Sequence, residues 1–207
     1  MLVPVLVLSA LGLVGWLVYP QLVRSVVYPH REPVEQGKRL GVWLDQYRKS
    51  MLAVQESDRD VPRKDAEGAI RKIGTNALPA LLRMVQAKDS AAGTRVVRVL
   101  GLRSEDDYHT RSTDGFAVLG AGAKPAVGAL VRALGDKSSG IRACAATCLG
   151  SIGPEAKDAV PSLRHLFGDR VITVRTAATN AIAQVDVGAG AGAGGVKVSG
   201  GHARAAN

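Results

Sequence analysis

Three sets of side chains in this sequence have types and spacings that could do chemistry. Cys144 and Cys148 stand four apart, which puts two thiols on one face of a helix. Thiolates bind soft metals, but a metal pair needs further ligands at suitable spacing, and none stands near. Glu105, Asp106, Asp107, His109 and Asp114 make an oxygen-rich cluster that could hold a hard cation. Their spacing does not match an EF-hand loop, and a solvated surface is the expectation. The third set is an aspartate followed six residues later by an arginine, found three times: Asp89 and Arg95, Asp136 and Arg142, Asp169 and Arg175. A carboxylate facing a guanidinium makes strong charge-assisted hydrogen bonds.

No known catalytic arrangement accompanies them. The sequence has no G-x-S-x-G, no Walker A run, no H-E-x-x-H and no paired C-x-x-C. The glycines between Gly188 and Gly195 follow no predicted strand, so they read as linker rather than a phosphate loop. His30, His165 and His202 are isolated. No catalytic residue, cofactor site or metal site is assigned, and an enzyme is not expected.

The elements that position these groups are set by an internal repeat. Ala123-Lys124-Pro125-Ala126-Val127-Gly128-Ala129-Leu130 returns 33 residues later as Ala156-Lys157-Asp158-Ala159-Val160-Pro161-Ser162-Leu163. The same offset pairs Gly135 with Gly168, Asp136 with Asp169, Arg142 with Arg175 and Ala145 with Ala178. A fixed period of this size means stacked supersecondary units rather than one globular core. In that register Cys144 and Cys148 match Ala177 and Ala181, so they read as small buried positions.

Aromatic residues are only 4% of the chain, and small apolar residues dominate, which suits closely packed helices better than a β-sandwich. The net charge of +9 is diffuse: residues 61–180 hold 18 Lys and Arg against 11 Asp and Glu. Such charge favours acidic partners, yet without a basic run or stacking aromatics nucleic acid is not the expected ligand.

Residues 2–23 carry no charge and are long enough for a membrane-spanning helix. Trp16, Tyr19 and Tyr28 lie toward its end, where an aromatic belt would sit. A cleaved signal peptide is the rival; it would want a basic start and a small-residue cleavage site, and neither is evident. The expectation is a single-pass anchor over 1–27. Arg24, Arg31, Lys38 and Arg39 follow the uncharged stretch 2–23, which by the positive-inside rule puts the soluble part in the cytoplasm.

Residues 28–61 read as linker plus a short amphipathic helix. Two prolines, Pro29 and Pro33, predict an extended spacer. Leu40, Trp43, Leu44, Tyr47 and Met51 then share one helical face. That face is expected to cap the open end of the array, with a position on the membrane surface as the alternative. Residues 62–185 read as helix pairs in three units. The first is irregular: Asp89 to Asp136 is 47 residues, and the surplus falls near 101–114. That polar stretch is expected on the surface as a loop or helix extension. The Gly/Ala-rich tail, 186–207, is expected to be disordered.

Three features carry a family resemblance: Ala159-Val160-Pro161-x-Leu163, echoed by Ala77-Leu78-Pro79-x-Leu81; the recurring Asp and Arg; and the turn Leu149-Gly150-Ser151-Ile152-Gly153. Together they resemble HEAT repeats, in particular the short PBS-lyase HEAT-like type. The resemblance implies an all-α fold, an armadillo-like α-solenoid of stacked antiparallel helix pairs. It implies that Asp89, Asp136 and Asp169 sit at the turns before second helices. Arg95, Arg142 and Arg175 would bond them in a ladder between units. It implies a scaffold that binds a protein partner, here tethered to a membrane. Some HEAT-like proteins are bilin lyases and some bind DNA, and these remain the alternatives. The identity of the partner is not written in the sequence.

Overall fold

A computed structural model of the chain describes residues 32–53, 60–88 and 105–191. The expected anchor over 1–27, Asp89, Arg95 and residues 192–207 lie outside the described residues.

The end of the linker is not an extended spacer. Val34–Glu35 (β1) and Lys38–Arg39 (β2) pair antiparallel, Val34 with Arg39 and Glu35 with Lys38. Gln36 and Gly37 both have positive φ, 50° and 72°, which a two-residue hairpin turn requires. The hairpin is stitched to the first helix. Trp43 Nε1 donates to Glu35 O at 3.1 Å, and Lys38 Nζ sits 4.2 Å from the Trp43 ring centroid. Glu32 Oε2 accepts the Gly41 N–H at 2.9 Å, filling one of the unpaired donors at a helix start.

Among the described residues there are eight α-helices: α1 Leu40–Leu52, α2 Asp60–Ile73, α3 Leu78–Val85, α4 Glu105–Leu119, α5 Val127–Ala133, α6 Ser139–Ile152, α7 Val160–His165 and α8 Ile172–Ala191. They form four pairs that share one apolar core. Helix α1 packs along α2 and also meets α4, so it is a partner in a pair rather than only a lid. Leu40, Trp43 and Leu44 are buried and Tyr47 half-buried, as the stripe predicts. Met51 departs from it, 51% exposed; Ser50 is buried instead, its hydroxyl donating to Tyr47 O.

Each of the last three pairs opens the same way. Gly74, Gly120 and Gly153 take φ of 57°, 51° and 74°, which ends the preceding helix and which a side chain would strain. A 3-10 stretch comes next (Gly74–Ala77, Gly120–Ala126, Gly153–Ala159) and then an α-helix. Pro79 and Pro161 are second residues of α3 and α7, where a missing N–H matters least. The change from 3-10 to α occurs equally in the middle unit, where Gly128 takes the same place.

The repeat register survives in the core. Ala123 and Ala156, Ala126 and Ala159, Leu130 and Leu163, Ala145 and Ala178, Cys148 and Ala181 are all buried. Helix α6 lies between α4 and α8 and approaches α8 closely. A Cβ on Gly150 would come within 2.9 Å of Ala181 Cα and 2.5 Å of Gln184 Oε1.

The polar stretch at 101–114 is not a surface excursion. From Glu105 onward it is α4, the second helix of its unit. Arg111, Ser112 and Phe116 precede Cys144, Ala145 and Leu149 by one period, and all six are buried. The surplus lies earlier. Between α3 and α4 stand 19 residues, 86–104, of which 89–104 lie outside the described residues, against five at 134–138 between α5 and α6.

At the other end α8 continues through 186–191, into the stretch expected to be disordered. Residues 107–133 are long and apolar enough to cross a membrane. The turn at Gly120 splits them into two helices, however, and Phe116, Ala123, Ala126 and Leu130 are buried in the core.

Candidate functional site

Of the aspartates that the resemblance implies, Asp136 and Asp169 lie at the turns before second helices, and Asp89 is outside the described residues. Asp136 Oδ1 accepts the Ser138 N–H at 2.8 Å, and Asp169 Oδ1 accepts the Val171 N–H at 2.9 Å. Each carboxylate thus closes its own turn. Arg142, on the first turn of α6, donates through Nη1 to Asp136 O at 2.9 Å and Lys137 O at 3.1 Å. Its Nε and Nη2 reach across to both oxygens of Asp169, at 2.8 and 2.9 Å. One guanidinium therefore braces its own turn and grips the next unit. Arg142 and then the Val171 N–H hold the Asp169 carboxyl below its ordinary value.

Asp136 is lowered too, first by the Ser138 N–H and then by Lys88, whose Nζ lies 3.1 Å from it. Lys88 thus bonds the carboxylate from the preceding unit. One period before Arg142 stands His109, buried in α4. Arg175 repeats the local half of the Arg142 arrangement: its Nη1 donates to Asp169 O at 2.7 Å and Arg170 O at 3.3 Å.

A second polar assembly joins α1 to α4. The Arg111 guanidinium is buried; it bonds Asp45 and donates through Nη2 to Gly41 O at 3.1 Å. Three residues on along both helices the charges are exchanged. Arg48 donates to the two oxygens of Asp114 at 2.8 and 3.1 Å. Sequence reasoning places Asp114 in a solvated acidic cluster and misses Arg111 altogether. The available signal is the period itself, since Arg111 falls one repeat before Cys144, a core position.

Among the described side chains the acidic cluster does not assemble; those of Glu105 and Asp106 are not among them. Asp114 turns to Arg48, His109 is buried, and Asp107 is exposed. Among the described residues no group of three or more His, Cys, Asp or Glu could hold a metal ion. Cys144 and Cys148 are buried free thiols. Cys144 Sγ lies 3.2 Å from Ser112 Oγ, and burial pushes the Cys148 thiol well up, away from the reactive thiolate. The described residues line surface clefts. One is lined by Val42, Asp45, Gln46, Lys49, Ser50 and Pro62; another by Lys88, Arg132 and Asp136 with small apolar neighbours. Neither pairs a nucleophile with a base.

Helix pairs in register, braced by an arginine–aspartate rung, define an all-α repeat array whose ordered polar groups are structural. A family model described as HEAT repeats matches residues 101–183, from just before α4 into α8, and this supports a HEAT-repeat protein. Helices α4 to α7 and the first part of α8 lie within that match; α1, α2 and α3 lie before it. No curated protein and no solved structure matches the chain.

Proposed function

We propose that this chain is a membrane-tethered HEAT-repeat scaffold that captures a protein partner. HEAT repeats commonly serve as interaction scaffolds. The observation that carries the reading is the array itself: four helix pairs on one core spread out a large surface while their ordered polar groups are spent on holding units together. The uncharged segment 2–23 supports the tether, and the basic residues after it support a cytoplasmic array.

The second helices also favour a protein partner over nucleic acid. Their outer positions carry Thr110, Thr113, Thr147, Ser151, Thr176 and Thr179 rather than a row of Lys or Arg. Several of these hydroxyls turn back to helix carbonyls, Thr147 to Ala143 O and Thr179 to Arg175 O among them. Trp43 and Phe116 are buried and cannot flank a pigment, which weighs against the bilin-lyase alternative.

The test is a detergent-solubilised pull-down with the full chain as bait, beside a variant lacking residues 1–31. Both should retain the same partner, and only the full chain should sediment with membranes. A chain that stays soluble with 1–31 present refutes the tether; no saturable partner refutes the scaffold.

A further inference from the structure

We propose that the α7–α8 end of the array is a docking surface for a separate acidic partner. The partner would present a helix with an aspartate or glutamate beside apolar side chains, as one more repeat unit would. This deepens the scaffold reading and rests on it.

Positions one period apart differ in what covers them. Leu134 is 4% exposed because the last unit covers it; its counterpart Phe167 is 48% exposed. Leu149 is fully buried, and its counterpart Ile182 only partly. Ala146 is fully buried, and its counterpart Thr179 is exposed. The end of the array is thus a copy of an internal interface with its covering unit removed. Exposed apolar patches of this kind mark interaction sites.

The polar half of that interface is also ready. The Nη1 of Arg175 is anchored on Asp169 O and Arg170 O, as the Nη1 of Arg142 is on Asp136 O and Lys137 O. In Arg142 the remaining Nε and Nη2 hold the Asp169 carboxylate. In Arg175 they meet no carboxylate among the described residues. A guanidinium with its fork held open is pre-organised for bidentate capture of an acid.

Residues 187–207 contain no Asp or Glu. A second copy of this chain fits poorly, because α2 at the opposite end exposes Lys64, Arg71 and Lys72 with Asp65 as the one acid among them. The docking end itself exposes Arg164 and Arg170, with Asp186 as the acid on α8. Two basic ends repel, whereas an acidic partner is drawn in.

Two experiments test this. In the first, residues 153–185 are duplicated directly after Val185 in the full chain, which places a copied Asp169 as far along the chain from Arg175 as Asp169 is from Arg142. The urea midpoint should rise relative to the parent chain. Asn at the copied Asp169, or Arg175→Gln, should remove most of that rise, with Arg175→Gln in the parent chain as the reference. An unchanged midpoint, or a rise indifferent to both substitutions, overturns the proposal.

In the second, a photo-cross-linking phenylalanine analogue replaces Phe167, and separately Lys64, in the full chain in cells. Cross-linking from 167 should map to an acidic helix of another protein and fall about tenfold in Arg175→Glu, the loss expected for one charge-assisted pair. Cross-linking from 64 should not change. Products at 64 but not at 167 overturn the docking end and leave the scaffold standing. Products at neither site overturn both, and a product between two copies of this chain overturns the separate partner.

Discussion

Asp45→Ala separates two accounts of how α1 is held. Arg111 is 7% exposed at its side chain and Asp45 is 34% exposed. Removing the carboxylate leaves a guanidinium in a dry seam with Gly41 O at 3.1 Å as its remaining described acceptor there. Breaking a buried ion pair on one side costs about 3–5 kcal/mol. The Gly41 carbonyl and the partial exposure of Asp45 place this case at the lower end, about 3 kcal/mol. For a chain of this size that lowers the melting midpoint by roughly 6–12 °C. Arg48→Ala breaks the companion pair with Asp114, but Arg48 is 41% exposed, so the loss should be about 0.5–1 kcal/mol. The double change Asp45→Ala with Arg111→Met should recover much of the loss, because it removes the stranded charge. Far-UV circular dichroism of the full chain in detergent, by heat and by urea, reads all four proteins. If Asp45→Ala is no worse than Arg48→Ala, or if the double variant is no better than Asp45→Ala, the seam is wet and the reasoning fails.

Deleting residues 105–114 should abolish the cooperative melt, because it removes most of α4; a surface loop would leave the melt intact. Gly150→Ala should lower stability by about 1–3 kcal/mol through overpacking against Ala181, measured by urea titration. Gly128→Ala meets only Arg132 Nη1 at 3.9 Å and should be neutral or mildly stabilising in the same assay. Asp136 and Asp169 have lowered carboxyl pKa values, so their contribution is complete above the ordinary value of 3.8 and is lost as pH falls through the lower folded values. The urea midpoint should therefore drop below about pH 4. Asp169→Asn should flatten that drop while lowering the midpoint at neutral pH.

What the sequence makes legible is what repeats. The offset of 33 places Ala145 over Ala178 and Cys148 over Ala181, and all four are buried, because stacked units reuse one packing solution. Asp136 and Asp169 are legible for the same reason: each turn needs the same closing acceptor. The hairpin at Val34–Arg39 is not, since two prolines nearby suggest an extended chain, while the turn residues Gln36 and Gly37 carry the opposing signal. Met51 misleads because helical spacing alone does not say where the covering neighbour ends.

Arg111 shows why the polar part of the core escapes such reading. Composition assigns a stretch such as 101–114 to the surface, because charged groups are rarely buried unless paired. The pairing partner, Asp45, lies 66 residues away on α1, and no local pattern points to it. Yet the period does contain the answer. One repeat later the same position is Cys144, which packs inside. The difference between the two positions is the neighbour. Cys144 has α4 beside it, reaching Ser112 Oγ, whereas Arg111 reaches α1, whose Gly41 carbonyl and Asp45 carboxylate need a donor. A repeat array fixes which positions are inside, and the adjoining unit decides whether apolar or ionic side chains fill them. The same logic bears on Arg175 and Phe167, which no further unit covers among the described residues.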